Sequence, residues 1–234
     1  MLHPHLIEKE TEHTRVVQVD QDQTIEAHIK AGGSYTILFV QSGNTTLNTR
    51  FILDEGATLK AIWISHHIEE ATQNIQVEFK GEGINANLSG IARLTGQQKL
   101  TTHTHLIHHQ PNTNATQFFK RIIEDQAVSE FQGLVHVKSE AQKTDSNQFN
   151  HNLILSDKGR AIARPQLEIF ADDVKCSHGA TVGQLDEEQR FYLQSRGFSE
   201  DQANHILIQG FMDEIFDIIP AQLDPAKYRH LLYA

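Results

Sequence analysis

Cysteine is nearly absent from this sequence, which contains a single one, Cys176, among 234 residues. One cysteine cannot form a disulfide within the chain, and its scarcity is consistent with a reducing compartment. Long apolar runs are also missing, since no stretch approaches the ~20 apolar residues of a membrane span. The first residues, MLHPHLIEKETEHTR, lack the apolar segment of a signal peptide. We therefore expect a soluble, cytoplasmic protein without a membrane partner.

Positive charge is scarce as well. Twenty Lys and Arg face 30 Asp and Glu, so the net charge is −10 and the pI is near 5.8. This balance argues against nucleic-acid binding, which needs a basic patch. The phosphate-binding motif GxxxxGK[ST] is absent too, so we expect this chain to bind no nucleotide and to leave ATP hydrolysis to a partner. The length suits one large domain, with or without a small appendage.

Short strands dominate what is present. After a polar lead-in at residues 1–15, apolar and polar residues alternate in short runs separated by turns such as QSGN, DEGA and KGEG. The runs up to Leu94 are VVQV, TIEAHI, SYTILFV, NTTLNTRFIL, ATLKAIWIS, NIQVEFK and INANLSGIARL. This pattern predicts a β-sandwich, a barrel or a solenoid. No strict repeat length selects among them, although stacked coils are compatible with the pattern.

The pattern changes from strand to helix near residue 184. Asp186 with a glutamine three residues later indicates a helix start, and Gly197 indicates its end. Ser199 opens a second predicted helix that runs to Pro220. That helix carries two adjacent apolar stripes, Leu207, Phe211, Ile215, Ile218 and Ile208, Met212, Ile215, Ile219. We expect this face to pack on its own domain or to fill a groove on a partner.

The candidate chemistry lies around Cys176. In an extended segment, Cys176 and His178 point to the same side, and thiolate with imidazole suits iron, copper or zinc. Two ligands are fewer than a closed site needs, so a metal would require ligands from another segment or chain. Further oxygen ligands for a metal could come from the nearby acids Glu168, Asp172 and Asp173. We favour the interpretation that these three are solvated or turn-capping acids. On spacing alone, a small buried thiol beside a hydrogen-bonded histidine is the favoured interpretation.

A second histidine-rich stretch is KLTTHTHLIHHQPN. A strand here places His103 and His105 on one face and His108 on the other. Paired histidines two residues apart can bind a transition metal. No carboxylate or cysteine nearby completes a ligand set, so we favour a solvated polar ladder. The polar segment QKTDSNQFNHN is expected to be a turn or another strand, with Asn147, Asn150 and their neighbours in structural roles.

Two long segments resemble the SufB/SufD family, components of the SUF iron–sulfur cluster assembly system. The first is LEIFADDVKCSHGATVGQLDEEQRFYLQSRGFS, and the second is VHVKSEAQKTDSNQFNHNLILSDKGRAIARPQLEI. Together they span residues 135–199, a little more than a quarter of the chain. The segment CSHGATVGQLDEE is more similar to SufD than to SufB, which tends to carry an acid in place of Gly179.

The resemblance implies a mainly β fold, a right-handed parallel β-helix over residues 16–183 with a helical region at 184–234. It implies that Cys176 and His178 form part of a SufB–SufD interface that holds iron or a nascent cluster, shared transiently with the partner chain. No catalytic residue is carried over, so the chain is expected to be a scaffold and not an enzyme. The expected partners are a SufB-like paralogue and a SufC-like ATPase, the latter contacting Phe191, Leu207, Phe211 and Ile215.

Two alternatives stay open. One is a purely structural, homodimeric SufD-like protein that binds no metal. The other is a carbohydrate-active enzyme on a β-helix, for which Asp172 and Asp173 are poorly placed because adjacent strand residues face opposite ways. The sequence also departs from the family in beginning its strands almost at once. We therefore expect a short form without the usual amino-terminal helical region.

Overall fold

The structure of the chain is a computed structural model that describes residues 5–7 and 12–233. Strands occupy most of the described chain, and helices follow them. The strands are β1 His5–Ile7, β2 Glu12–Val19, β3 Gln23–Ile29, β4 Ser34–Gln41, β5 Thr46–Leu53, β6 Thr58–Ser65, β7 Glu70–Phe79, β8 Asn85–Leu94, β9 Lys99–His108, β10 Asn114–Ile123, β11 Val128–Val137, β12 Asp145–Ile154, β13 Arg160–Ile169 and β14 Lys175–Gly183. The helices are α1 Glu187–Ser195, α2 Glu200–Phe216 and α3 Ala226–Arg229, with 3₁₀ turns at Ala221–Leu223 and His230–Leu232.

Consecutive strands alternate between two parallel sheets. Sheet A has the order β1-β3-β5-β7-β9-β11-β13, and sheet B has the order β14-β12-β10-β8-β6-β4-β2. Each strand therefore pairs with the strand two further along the chain, which makes the fold a parallel β-solenoid and confirms that expectation. Residue 12 pairs with residue 34 and residue 128 with residue 160, so a turn lengthens from 22 residues at the start of the solenoid to 32 near its carboxyl end. This drift explains why the sequence shows no fixed repeat.

The main core fills the lumen between the two sheets. Strand β9 illustrates the rule, because every second residue from Leu100 to His108 is buried. Aromatic rings stack through the lumen, with Phe39 and Trp63 5.2 Å apart and Phe119 and Phe131 5.4 Å apart. Each such buried side chain contributes about 2–3 kcal/mol through the removal of apolar surface from water.

A second core lies outside sheet B. Strands β4 and β6 are buried on both faces, because α2 and the segments after it cover the sheet. Ile208, Met212 and Ile215 of α2 pack there against a strip of aliphatic side chains on the sheet, which are Leu38, Val40, Ile62, Ile64, Ile91, Ile122 and Leu153. Most of the predicted apolar face of α2 is therefore satisfied within the chain.

The turns between sheets stack into a column of left-handed residues. Gly32, Gly56 and Gly83 have φ of 70°, 66° and 67°, and Asn112 and Lys143 continue the column with φ of 57° and 59°. Backbone hydrogen bonds link successive members, for example from the Gly32 N–H to the Glu55 carbonyl at 2.8 Å. Glycine adopts this conformation without strain, and it occupies the amino-terminal turns of the column. The later turns place Asn112 and Lys143 in the same conformation.

The helix caps agree with the sequence signals. The Asp186 side chain accepts hydrogen bonds from the backbone of residues 188 and 189, and Ser199 forms a reciprocal capping box with Gln202. Helix α2 ends at Phe216, short of the predicted end at Pro220. After Phe216 the chain continues in tighter turns, in which the Ile218 and Ile219 N–H groups donate to the carbonyls three residues earlier at 3.2 and 3.1 Å. The proline itself restricts only Ile219.

The predicted lead-in at residues 1–15 lies largely outside the described residues, and β1 and the first residues of β2 fall within it. Within the described chain, no helix combines the length and the apolar character required to cross a bilayer.

Candidate functional site

Cys176 and His178 lie on β14, the last strand of sheet B. In the register with β12, Cys176 is beside Ser146 and His178 is beside Gln148. The Ser146 and Gln148 side chains are buried in the lumen. Residues paired in this way project to the same face of a sheet, so Cys176 and His178 both point toward the end of the lumen. The prediction that they share one face is confirmed.

Their surroundings differ. Cys176 is half-buried and packs against the main core, whereas His178 is exposed. Burial raises the pKa of the Cys176 thiol, Asp145 adds to the rise, and a hydrogen bond with the Ser146 backbone opposes it. The sulfur is therefore a protonated thiol at neutral pH. A metal bound there must displace that proton, so binding becomes tighter as the pH rises.

The two strands at this end have a free edge. Strands β13 and β14 are the terminal strands of sheets A and B, and each pairs with a single neighbour among the described residues. Large apolar side chains are exposed beside them, namely Ile169, Phe170 and Val182, with exposed fractions of 37%, 64% and 55%. We call this surface, made of β13, β14 and the connection between them, the open end. Free strand edges are templates for pairing with another chain.

Among the described residues, no third potential metal ligand accompanies Cys176 and His178. The part of the chain that the structure describes holds no group of three or more His, Cys, Asp or Glu side chains that could bind a metal. Glu168 faces the outside of sheet A, where its carboxylate lies 3.2 Å from His136 Nδ1. Asp172 and Asp173 lie in the connection between β13 and β14, where the Asp173 backbone N–H donates to Gln142 Oε1. The three acids thus have surroundings that do not involve the cysteine.

The histidine-rich stretch forms β9, with the predicted division of faces. His103 and His105 are on the outer face of sheet A, and His108 is fully buried in the lumen. The His108 ring stacks on Phe79 at 4.1 Å, and Nδ1 lies 2.8 Å from the Thr113 hydroxyl. Burial, with a smaller effect of His109, lowers the pKa of His108 to about 3. His108 is therefore a neutral core residue.

The lumen near the open end is polar, which the sequence reasoning missed. The inward side chains of β12 are Ser146, Gln148, Asn150 and Asn152, all buried. Opposite them Gly133 leaves room for the Gln148 amide, since a Cβ at that position would overlap it. The available signal is the run DSNQFNHN, in which every residue except Phe149 is polar, including the whole inward set.

The helical region exposes aromatic side chains. Phe191, Tyr192 and Phe198 are 72%, 56% and 41% exposed, and α1 has no buried residue. We call these three residues the aromatic surface. Of the other residues predicted to contact a partner, Leu207 and Phe211 are half-buried. Ile215 is also predicted to contact a partner, but it is fully buried against sheet B and offers no surface for such a contact.

The sequence is similar to those of known proteins. The SufBD core domain of the SUF system for iron–sulfur cluster assembly matches residues 5–211. The chain belongs to the SufBD family. The Escherichia coli SufD protein is 38% identical over 146 residues, which are 62% of this chain and 34% of SufD. A SufBD family protein of Synechocystis is 40% identical over 147 residues, 63% of this chain and 32% of the relative.

SufB is also similar, though less so. The Bacillus subtilis SufB protein is 30% identical over 204 residues, 85% of this chain and 43% of SufB. This SufBD chain spans about a third of the length of the Synechocystis and E. coli relatives. The expected similarity to the SufB/SufD family is therefore confirmed.

Proposed function

We propose that this chain is a SufD-like scaffold component of an iron–sulfur cluster assembly complex. In this proposal the open end pairs with a SufB-like chain, and Cys176 and His178 contribute ligands to iron or a nascent cluster. The aromatic surface contacts a SufC-like ATPase. The metal or cluster is the cargo of the complex and belongs to neither chain alone.

The observation that carries the proposal is the position of Cys176 and His178 on a free edge strand. A metal site with two ligands gains the others only from outside the chain, and strand β14 presents both ligands where a second sheet could add to its edge. The exposed apolar side chains on the open end favour burial by a protein over contact with solvent. Because the Cys176 thiol is protonated at neutral pH, iron binding must release its proton.

The aromatic surface supports a second contact. Phe191 and Tyr192 project from a helix that buries none of its own residues, while α2 is fixed to the solenoid. Aromatic residues exposed on a rigid support are frequent anchors at protein interfaces. Glu187 forms an ion pair with Arg190, and the Arg196 guanidinium lies 5.1 Å from the centre of the Tyr192 ring. Charges of both signs therefore surround the two rings, so we expect the partner to present an apolar pocket with a mixed polar rim.

A homodimeric scaffold is the second candidate, because the open end could also pair with a copy of itself. Its exposed Ile169, Phe170 and Val182 suit either partner. The carbohydrate-active alternative gains no support from Asp172 and Asp173, which lie in an exposed connection.

The test is anaerobic co-expression of this chain with SufB-like and SufC-like proteins, followed by measurement of bound iron and acid-labile sulfide. Complex formation with several-fold less iron in Cys176→Ser and His178→Ala is the expected result. His103→Ala, on the outer face of sheet A, is the matched control and should retain iron. Unchanged iron in both site variants would contradict the ligand role while leaving the scaffold role intact. A chain that forms only homodimers would contradict the pairing with SufB.

A further inference from the structure

The lumen of the solenoid contains a buried cation without an acid beside it. Arg121 is 1% exposed. Its guanidinium donates to the Lys120 carbonyl at 2.9 Å and to the Thr102 hydroxyl at 3.1 Å, and it lies 5.5 Å from the centre of the Phe119 ring. No carboxylate of the described residues forms an ion pair with Arg121, although other buried or half-buried cations of the chain have such partners.

The groups that accept hydrogen bonds from Arg121 are uncharged, so they do not compensate its positive charge. The Thr102 hydroxyl in turn donates a hydrogen bond to Gln73 Oε1 at 3.0 Å, so the network continues through uncharged groups. Burial lowers the pKa of Arg121 to about 9, which still leaves it a cation at neutral pH. A desolvated charge without a counter-ion costs several kcal/mol, so proteins generally supply one.

Other donors in the lumen lack partners, and they lie one turn closer to the open end. Asn152 pairs in register with Arg121, and the side chain of Asn150 accepts a hydrogen bond from Asn152 at 2.7 Å. The Asn150 amide nitrogen itself is buried and has no partner within the described chain. Across the lumen, the buried hydroxyl of Ser129 also has no partner within the described chain. Ser129 lies on β11, two residues before Phe131, which is the residue paired in register with Thr102.

From this arrangement we propose that the lumen binds a small inorganic anion of halide size beside Arg121. The guanidinium supplies the positive charge, and the Asn150 amide and the Ser129 hydroxyl supply further donors. Leu100 lies two residues from Thr102 and Ile123 two residues from Arg121, on the same strands and the same inward face, and both are fully buried. These apolar neighbours suit a small, weakly hydrated ion. The proposal is independent of the cluster-assembly role, because it uses no residue of the open end.

The direct test is crystallography of the whole chain in bromide, collected at the bromine absorption edge. We expect an anomalous peak within about 3.5 Å of the Arg121 guanidinium, the range of a charge-assisted hydrogen bond to a halide. A map with water alone at this position would overturn the proposal. This experiment uses the wild-type protein, so it does not depend on whether a variant folds.

Thermal unfolding gives the second test, with sodium bromide exchanged for sodium gluconate at constant ionic strength. Bromide should raise the midpoint of the wild type by about 2–4 °C more than that of Arg121→Met, and the difference should saturate with concentration. Arg164→Met, which removes an exposed arginine from the outer face of sheet A, should behave as the wild type does. An equal bromide dependence in Arg121→Met and the wild type would contradict a site at Arg121.

Discussion

Lys120 and Glu214 form an ion pair whose two partners differ sharply in exposure. Lys120 Nζ lies 2.8 Å from Glu214 Oε2, yet its side chain is 1% exposed whereas that of Glu214 is 59% exposed. The same ammonium donates to the Phe211 carbonyl at 2.9 Å and lies 4.1 Å from the centre of the Phe211 ring. Sheet B therefore holds α2 through a buried cation, and a surface acid supplies the compensating charge.

This asymmetry predicts unequal effects of removing the two partners. Burial lowers the pKa of Lys120, and Glu214 counteracts this effect. Glu214→Gln leaves the buried ammonium without its counter-ion, so we expect a loss of about 1–3 kcal/mol in the free energy of unfolding. Lys120→Met removes the buried charge itself and leaves only an exposed acid, so its cost should be smaller. Urea unfolding of both variants and the double variant measures this, and a larger loss for Lys120→Met would contradict it.

The buried His108 predicts a loss of stability in mild acid. Its pKa falls from 6.5 to about 3 in the folded state, so between these values the unfolded chain binds a proton that the folded chain does not. Above pH 6.5 this group does not reduce the free energy of unfolding. Below pH 6.5 it lowers that free energy by up to about 1.4 kcal/mol per pH unit. His108→Asn should flatten the decline between pH 6.5 and 4.5, although its stability at pH 7 is lower. Urea midpoints over this range test the slope, and an unchanged slope would contradict the assignment.

Glu78 predicts a second loss at lower pH. Burial by itself would raise the pKa of Glu78, but hydrogen bonds and charge from Lys80 and Arg50 outweigh burial and lower it from 4.5 to about 2. A depressed carboxyl pKa stabilises the fold above pH 4.5, and this contribution disappears as the pH falls toward 2. Glu78→Gln should therefore cost about 2–3 kcal/mol at pH 7 and little at pH 2. A cost that does not vary with pH would identify a packing effect instead.

Two glycines predict opposite outcomes of the same substitution. A Cβ on Gly81 would overlap the backbone N and Cα of Glu55 in the preceding turn, whereas a Cβ on Gly210 in α2 meets nothing within 4 Å. Gly81→Ala should destabilise the chain by at least about 2 kcal/mol, because backbone atoms must move. Gly210→Ala should stabilise it by about 0.5–1 kcal/mol through helix propensity. Thermal unfolding of the pair checks both signs, and a neutral Gly81→Ala would contradict the close stacking of turns.

The sequence was sufficient for the local features of the fold. Period-two alternation predicts strands because one face of each must be buried, and Asp186, Ser199 and Gly197 mark helix ends through hydrogen bonds that span only a few residues. It also placed Cys176 and His178 on one face, since that follows from strand geometry alone. The solenoid itself is implied only by the family resemblance, because turns that grow from 22 to 32 residues leave no fixed repeat in the sequence.

Tertiary structure decided what each predicted face contacts. The apolar stripes of α2 are compatible with either a partner or a sheet, and only packing shows that Ile215 is enclosed by sheet B while Phe191 is left exposed. The open end likewise depends on which strands of the described chain have a neighbour on one side only, and no local sequence pattern encodes this. The polar lumen around Arg121 and Asn150 is a property of two sheets facing each other. Sequence determines local geometry through short-range sterics and hydrogen bonds, whereas burial depends on residues distant in the chain.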